Sequence, residues 1–213
     1  MSNNTYNILS LDGGGLRGLI TSSLLDRLAE RYPTLLSNLD LVVGTSTGGI
    51  LALALAKDLP PSTISKMYLQ YGSDIFARPL SRRIGSLFNL TKAKYDNAPL
   101  AKVLDKVFGD AHLGELPKKV AITTFDLDNR AETERCWSPK IFHNFVGEGS
   151  DGYRKVVDVA LYTSAAPSFF PSSDGYIDGG VVANNPSVVA LAQALDLRYL
   201  SQGNKSSSPK EQP

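Results

Sequence analysis

"VVGTSTGGI", residues 42–50, is the stretch that decides how this 213-residue chain folds. An apolar run, "LDLVVG" (39–44), stops at Gly44, and a second one, Ile50 to Ala56, begins four residues beyond Ser46. The first reads as a strand that is apolar throughout, as expected where both faces of a sheet are covered. The second reads, from Thr47, as a helix that is apolar on nearly all sides and therefore buried. Between them "GTSTG" fits G-x-S-x-G, a strained strand-to-helix turn that pushes a serine hydroxyl out of the sheet. Gly44 and Gly48 let neighbouring backbone pass, and the helix aims its N-terminal amides and positive dipole end at any oxyanion forming there. Five residues of this kind are a weak signal in a chain with 18 glycines, and the alternative is a glycine-rich connection with a capping serine. The strand before and the buried helix after are the context an elbow requires, so Ser46 is read as a nucleophile.

Outward from this turn, strands alternate with helices. "YNILSL" (6–11) reads as a strand ended by glycines 13 to 15. Ile20, Leu24, Leu25, Leu28 and Tyr32 recur at helical spacing up to Pro33. Pro60 and Pro61 stop the buried helix, and Ser62 is expected to cap the next, where Ile64, Met67, Tyr68 and Tyr71 share a face. Leu100, Val103, Leu104 and Val107 form another helical face, ended by Gly109. "KVAITTFDL" (119–127) and "KIFHNF" (140–145) read as strands joined by a polar, hairpin-like excursion. Val156, Val157, Ala160 and Leu161 give a helix ended near Pro167. "GYIDGG" (175–180) is a short strand and turn, and a last helix follows, with Asn184 or Asn185 as cap and Pro186 in its first turn. This order predicts an α/β fold, a mostly parallel central sheet flanked by helices. Three glycine-rich turns, at 12–18, 44–49 and 178–180, follow three strands, and ligands in such sheets bind at the strand ends.

Composition narrows the rest. The net charge of +1 carries no global field that would favour nucleic acid. A single cysteine, Cys136, excludes an intrachain disulfide and suits a cytoplasmic protein, and with only two histidines there is no convincing zinc cluster. No secretory signal or bilayer-length apolar run is visible. One domain over residues 1–200 is expected, with 201–213 a polar, disordered tail. Residues 76–96 stand apart: five basic residues, Arg78, Arg82, Arg83, Lys92 and Lys94, accompany one acid, Asp96, with Leu80, Ile84, Leu87 and Phe88 interleaved. This is a candidate lid or lipid-facing surface; the alternative is a solvated loop with a few core anchors.

"DGGGLRG" (12–18) permits two readings. As G-x-G-x-x-G, with Gly13, Gly15 and Gly18, it fits a dinucleotide fingerprint, but the nearest acid, Asp40, precedes the apolar core of its strand, so a ribose partner is missing. As an anion cradle, its successive N–H groups at a helix N-terminus suit an oxyanion, with Gly14 and Gly15 the leading donors. Arg17 reads as a support of the loop or of a substrate anion; the alternative is a solvated helix residue. For the serine proton, His112 and His143 lie in unremarkable settings, one in a turn and one in a strand. Asp178 in "YIDGG" follows a strand, and Gly179 and Gly180 open the backbone beside it. A free carboxylate, with a pKa of about 3.9, is a weak base, so an aspartate serves only with strong oxyanion stabilisation.

"DGGGLRG", "GTSTGG" and "IDGGVVANNP", in that order, resemble the three motifs of the patatin-like phospholipase family, and "SAAPSFFP" (164–171) resembles the segment before its aspartate. The resemblance runs from about Tyr6 to Tyr199. It implies a Ser-Asp dyad with Ser46 as nucleophile and Asp178 as base, glycines 13 to 15 as oxyanion hole, lipid acyl-ester substrates with transient contact at a membrane surface, and no metal or other cofactor for the chemistry. Members of the family continue past the N-N-P helix into a further strand and helices, so it also implies either a compact member or part of a longer protein. A non-catalytic lipid-binding protein and a nucleotide-binding protein are the alternatives.

Overall fold

Alternate residues of one strand face different helices. In the computed structural model, which describes residues 5–75, 94–128, 134–147 and 149–203, β2 (Leu41–Thr45) is buried along its whole length. Val42 joins a large apolar cluster, whereas Leu41 and Val43 join a second one. In β3 (Lys119–Asp126), Val120 and Ile122 likewise face the first cluster and Ala121 the second. Successive strand side chains point to opposite faces, so the sheet is the middle of three layers, as the continuous apolar runs predict. The first layer holds α1 (Gly18–Arg31), α2 (Thr47–Ala56), α3 (Pro61–Ile75), α4 (Asn97–Phe108) and α5 (Val156–Ser164); after the single turn α6 (Gly180–Ala183), α7 (Ser187–Gly203) packs on β2 and on β1 (Ile8–Leu11) from the other side through Ala190. All ten residues of α2 are buried, as its unbroken apolar sequence requires.

The sheet has five strands among the described residues, in the order β1-β2-β3-β4, with β4 spanning Ser138–His143. β1, β2 and β3 are parallel, and β4 returns antiparallel to β3, as a hairpin-like excursion should. The fifth strand, β5 (Tyr176–Asp178), is also antiparallel to β3. β4 already occupies one edge of β3 along Ala121–Asp126, so β2 and β5 share the other edge. β2 pairs with Lys119–Thr123 and β5 with Thr124–Asp126. Running in opposite directions along one edge, the two strands meet end to end. The residue after β2 is Ser46, and the last residue of β5 is Asp178.

Local signals account for most boundaries. The Asp96 side chain caps α4 by accepting from the Ala98 N–H, and Gly109, at φ 59°, closes that helix. Asn185, of the two candidates, caps α7 through the Ser187 N–H at 3.0 Å. Ser62 does not cap α3: the helix starts one residue earlier, at Pro61, where the missing proline N–H costs nothing. The face Ile64, Met67 and Tyr68 is buried as expected. The apolar stripe of α1 is not: Ile20, Leu24 and Tyr32 are more than half exposed, and Leu25 is the residue that turns inward. α7 continues to Gly203, into the stretch read as tail, and residues 204–213 lie outside the described residues. So do residues 76–93, the greater part of the basic and apolar segment. Among the described residues no helix is long and apolar enough to cross a membrane, and no three His, Cys, Asp or Glu side chains gather as a metal site.

Candidate active site

Ser46 stands at the apex between β2 and α2 with φ 55° and ψ −125°, a backbone region that a residue bearing a side chain rarely adopts. The turn closes because the elbow is packed too tightly for side chains: a Cβ on Gly48 would run into the Leu11 and Asp12 carbonyls, and one on Gly44 into the Gly48 backbone. Gly179 serves the opposing turn in the same way, since a Cβ there would strike the Thr123 carbonyl and hydroxyl.

The Ser46 hydroxyl donates to Asp178 Oδ2 at 2.6 Å. The other carboxylate oxygen, Oδ1, accepts from the Gly180 N–H at 2.7 Å. Both residues are buried, with 8% and 6% of their surfaces exposed. Burial raises the Asp178 pKa above its ordinary 3.8, and the two hydrogen bonds, from Ser46 and from Gly180, only partly oppose the rise. The carboxylate is thus a stronger base than its type.

The glycine loop meets the same place. Gly13, Gly14, Gly15, Ser46 and Asp178 all line one cavity of about 520 Å³, within the usual range for small-molecule sites. The Gly13 N–H is already engaged, donating to the Asn184 carbonyl at 3.0 Å. The Gly14 N–H donates to Thr47 Oγ1 over a longer 3.2 Å. The Gly15 N–H has no acceptor among the described residues, and Gly15 sits at φ 55°. Of the three glycines read as an oxyanion hole, Gly13 is therefore a loop anchor. Arg17 is exposed at the cavity and turns back to the Gly14 carbonyl, to which its Nε–H donates at 3.3 Å. Ile50, Tyr68, Leu100 and Phe170 form buried apolar walls, whereas Leu16, Phe169 and Val181 stand about half exposed at the edge.

The rival acids and bases lie elsewhere. His143 ends β4 opposite Ala121, on the far edge of β3. Its ring stacks on Phe145 at 4.6 Å, and its Nδ1 accepts from the Phe145 N–H. Burial lowers its pKa, with Lys140 adding to the fall and Asp151 opposing it. His112 faces Glu115 in a short turn. Asp40, which a dinucleotide reading would need at the ribose, accepts from the Asn7 N–H before β2 begins, at the opposite end of the strands from the glycine loop.

Sequence reasoning missed a set of buried threonines beneath the elbow. Thr163 Oγ1, on α5, accepts from the Ser46 N–H at 2.8 Å and donates to the Thr123 carbonyl at 2.7 Å. Thr45 Oγ1 donates to the Ala183 carbonyl at 2.7 Å, and the Thr123 hydroxyl, 2.6 Å from it, is left as the donor between the two. Nothing in a single sequence marks these residues apart from ordinary strand and helix threonines.

The chain is similar to several known proteins. The profile of the family described as Patatin, patatin-like phospholipase, matches residues 9–191. A cGAMP-activated phospholipase of Pseudomonas aeruginosa (strain BWHPSA011 / Pa011) is 39% identical over 193 residues, covering 88% of this chain and 56% of that protein. Patatin-like protein 2 of Oryza sativa subsp. indica is 31% identical over 217 residues, covering 87% of this chain and 52% of its own length. The chain thus spans about half the length of these curated relatives. The crystal structure of VipD from Legionella pneumophila superposes with a TM-score of 0.45 at 17% identity, covering 83% of this chain and 46% of that one.

Proposed function

The chain belongs to the patatin-like phospholipase family, and from that premise we propose that it is a serine lipid acyl hydrolase of the phospholipase A or lysophospholipase type, working through a Ser46–Asp178 dyad. The observation that carries this reading is the 2.6 Å hydrogen bond from the Ser46 hydroxyl to a buried, base-strengthened carboxylate at the wall of a largely apolar cavity. Ser46 Oγ attacks the ester carbonyl carbon while its proton passes to Asp178 Oδ2. The Gly15 N–H and, on exchanging Thr47 Oγ1 for the ligand, the Gly14 N–H hold the oxyanion together with the first amides of α2. The bond to the alcohol breaks, the alcohol leaves with the proton from Asp178, and an acyl-Ser46 remains. Water then gives a proton to Asp178 and attacks the acyl carbon. Fatty acid is released, and the proton returns to Ser46. No cofactor or metal is required, and the apolar walls suit an acyl chain presented from a membrane surface to a cytoplasmic enzyme.

Labelling with a fluorophosphonate probe tests the reading. The protein is expected to label, and Ser46→Ala to lose the label completely. An unlabelled wild-type protein that still binds phospholipid vesicles would instead mark a non-catalytic lipid-binding protein. Incubation with a mixed phospholipid, lysolipid and galactolipid extract, followed by mass spectrometry of the products, identifies the ester cleaved. Because one relative is named a cGAMP-activated phospholipase, the incubation is run with and without cGAMP.

A further inference from the structure

Two backbone groups at the end-to-end meeting of β2 and β5 have no sheet partner. The chain leaves the sheet at Ser46, one residue beyond the last β2 residue paired with β3, and the Thr123 carbonyl lies at the junction where β2 and β5 both end. One hydroxyl serves both: Thr163 Oγ1 accepts from the first and donates to the second. Two residues further on, the Ala165 carbonyl accepts from the Asp178 N–H at 3.1 Å. The C-terminal turn of α5 therefore holds the backbone of the nucleophile and the backbone of the base on one rigid segment. Thr163 is fully buried and its methyl and hydroxyl lie against Gly49, so it has no room to turn away.

We infer that Thr163 is a positioning residue: it fixes the strained Ser46 backbone and, with Ala165, sets the distance between the Ser46 hydroxyl and the Asp178 carboxylate. It also commits the Ser46 N–H to the protein interior, so the oxyanion is held by the amides of the glycine loop and of α2 and not by that of Ser46. As an account of catalysis this rests on the hydrolase reading above; as an account of the elbow it does not.

The test compares Thr163→Val, which keeps the shape and loses both hydrogen bonds, with Thr163→Ser, which keeps them. Misplacing a reacting group by about 1 Å costs on the order of 10²-fold in rate. In the folded valine variant, kcat and the rate of fluorophosphonate labelling are expected to fall together by about 10–10²-fold, with KM within about threefold of wild type, while the serine variant returns to within about threefold of wild-type kcat. Hydrogen exchange at the Ser46 amide, followed by NMR, reads the clamp without turnover: protection is expected to fall roughly tenfold or more in the valine variant and to survive in the serine variant. If Thr163→Val prevents folding, Thr163→Cys, whose thiol is a weak donor and acceptor, replaces it. A valine variant that labels and turns over like wild type overturns the catalytic role, and unchanged exchange at Ser46 overturns the clamp. A wild-type protein that neither labels nor hydrolyses lipid defeats the hydrolase reading instead, and the exchange comparison still decides the clamp.

Discussion

Replacing Asp178 with asparagine should destroy activity and stabilise the fold at neutral pH. The carboxyl is buried and its pKa is raised, burial being the largest influence and the Ser46 and Gly180 hydrogen bonds the opposing ones. The rise is the balance left after both hydrogen bonds have acted. A carboxyl that binds its proton more tightly when folded contributes stability that is complete below about pH 3.8, the unfolded value, and is lost as pH rises through the folded value. Above the folded value the wild-type protein therefore carries a buried charge it would be more stable without. Asparagine keeps the outline: its Oδ1 accepts from the Gly180 N–H, and its Nδ2 donates to Ser46 Oγ. Each factor of ten in proton affinity corresponds to about 1.4 kcal/mol, which moves the Tm of a domain this size by roughly 3–6 °C. The assay is thermal unfolding of wild type and Asp178→Asn from pH 3.5 to pH 8. The variant's advantage should be smallest at the acid end, grow as pH rises through the folded value, and then level off. Turnover should fall by about 10²–10⁴-fold, the usual worth of a general base, and wild-type kcat/KM should decline towards acid pH with an apparent pKa above 3.8. A gap in stability that widens on acidification would mean that the fold stabilises the carboxylate. Asp178 would then be a weaker base than a free aspartate, and the mechanism would lose its proton acceptor.

Further consequences concern groups away from the dyad. His143→Ala should keep turnover within about threefold of wild type, because the ring stacks on Phe145 across β3 from the serine; a loss like that of Asp178→Asn would place the protein in the triad class. Asp96→Ala removes the acceptor for the Ala98 N–H at the start of α4 and should cost about 1 kcal/mol, read as a shift in the denaturation midpoint without a change in kcat.

The elbow was legible because every part of it is local. A glycine that must let a carbonyl pass, a serine between two apolar runs, and a helix apolar all round are constraints written within fifteen residues, and the structure reproduces α2 from Thr47 to Ala56. The first glycine turn was legible in place, with Gly14 and Gly15 as its leading donors, but the engagement of the Gly13 N–H was not, since only the folded chain brings the Asn184 carbonyl to it. The stripe on α1 marks the limit of periodicity. It located the helix correctly, but Ile20 and Leu24 face outward, because helical spacing says which residues share a face and nothing about what covers it.

The direction of β5 is the deeper case. Three residues, Tyr176–Asp178, carry no signal for parallel or antiparallel pairing; the choice is made by the edge of β3 that β2 leaves vacant beyond Thr123. Had β5 been a further parallel strand, Asp178 would have lain beside the other strand ends, separated from Ser46 by at least one strand spacing of about 4.8 Å. Antiparallel, it shares an edge with β2 and ends where β2 ends, so backbone pairing brings the carboxylate to the end of the sheet where the hydroxyl stands. The same collision of strand ends strands a carbonyl at Thr123 and an amide at Ser46, and Thr163 answers both. The dyad proposed here needs no third side chain to orient its carboxylate, because the Asp178 backbone is held by Ala165 and by β3, and its free carboxylate oxygen by Gly180.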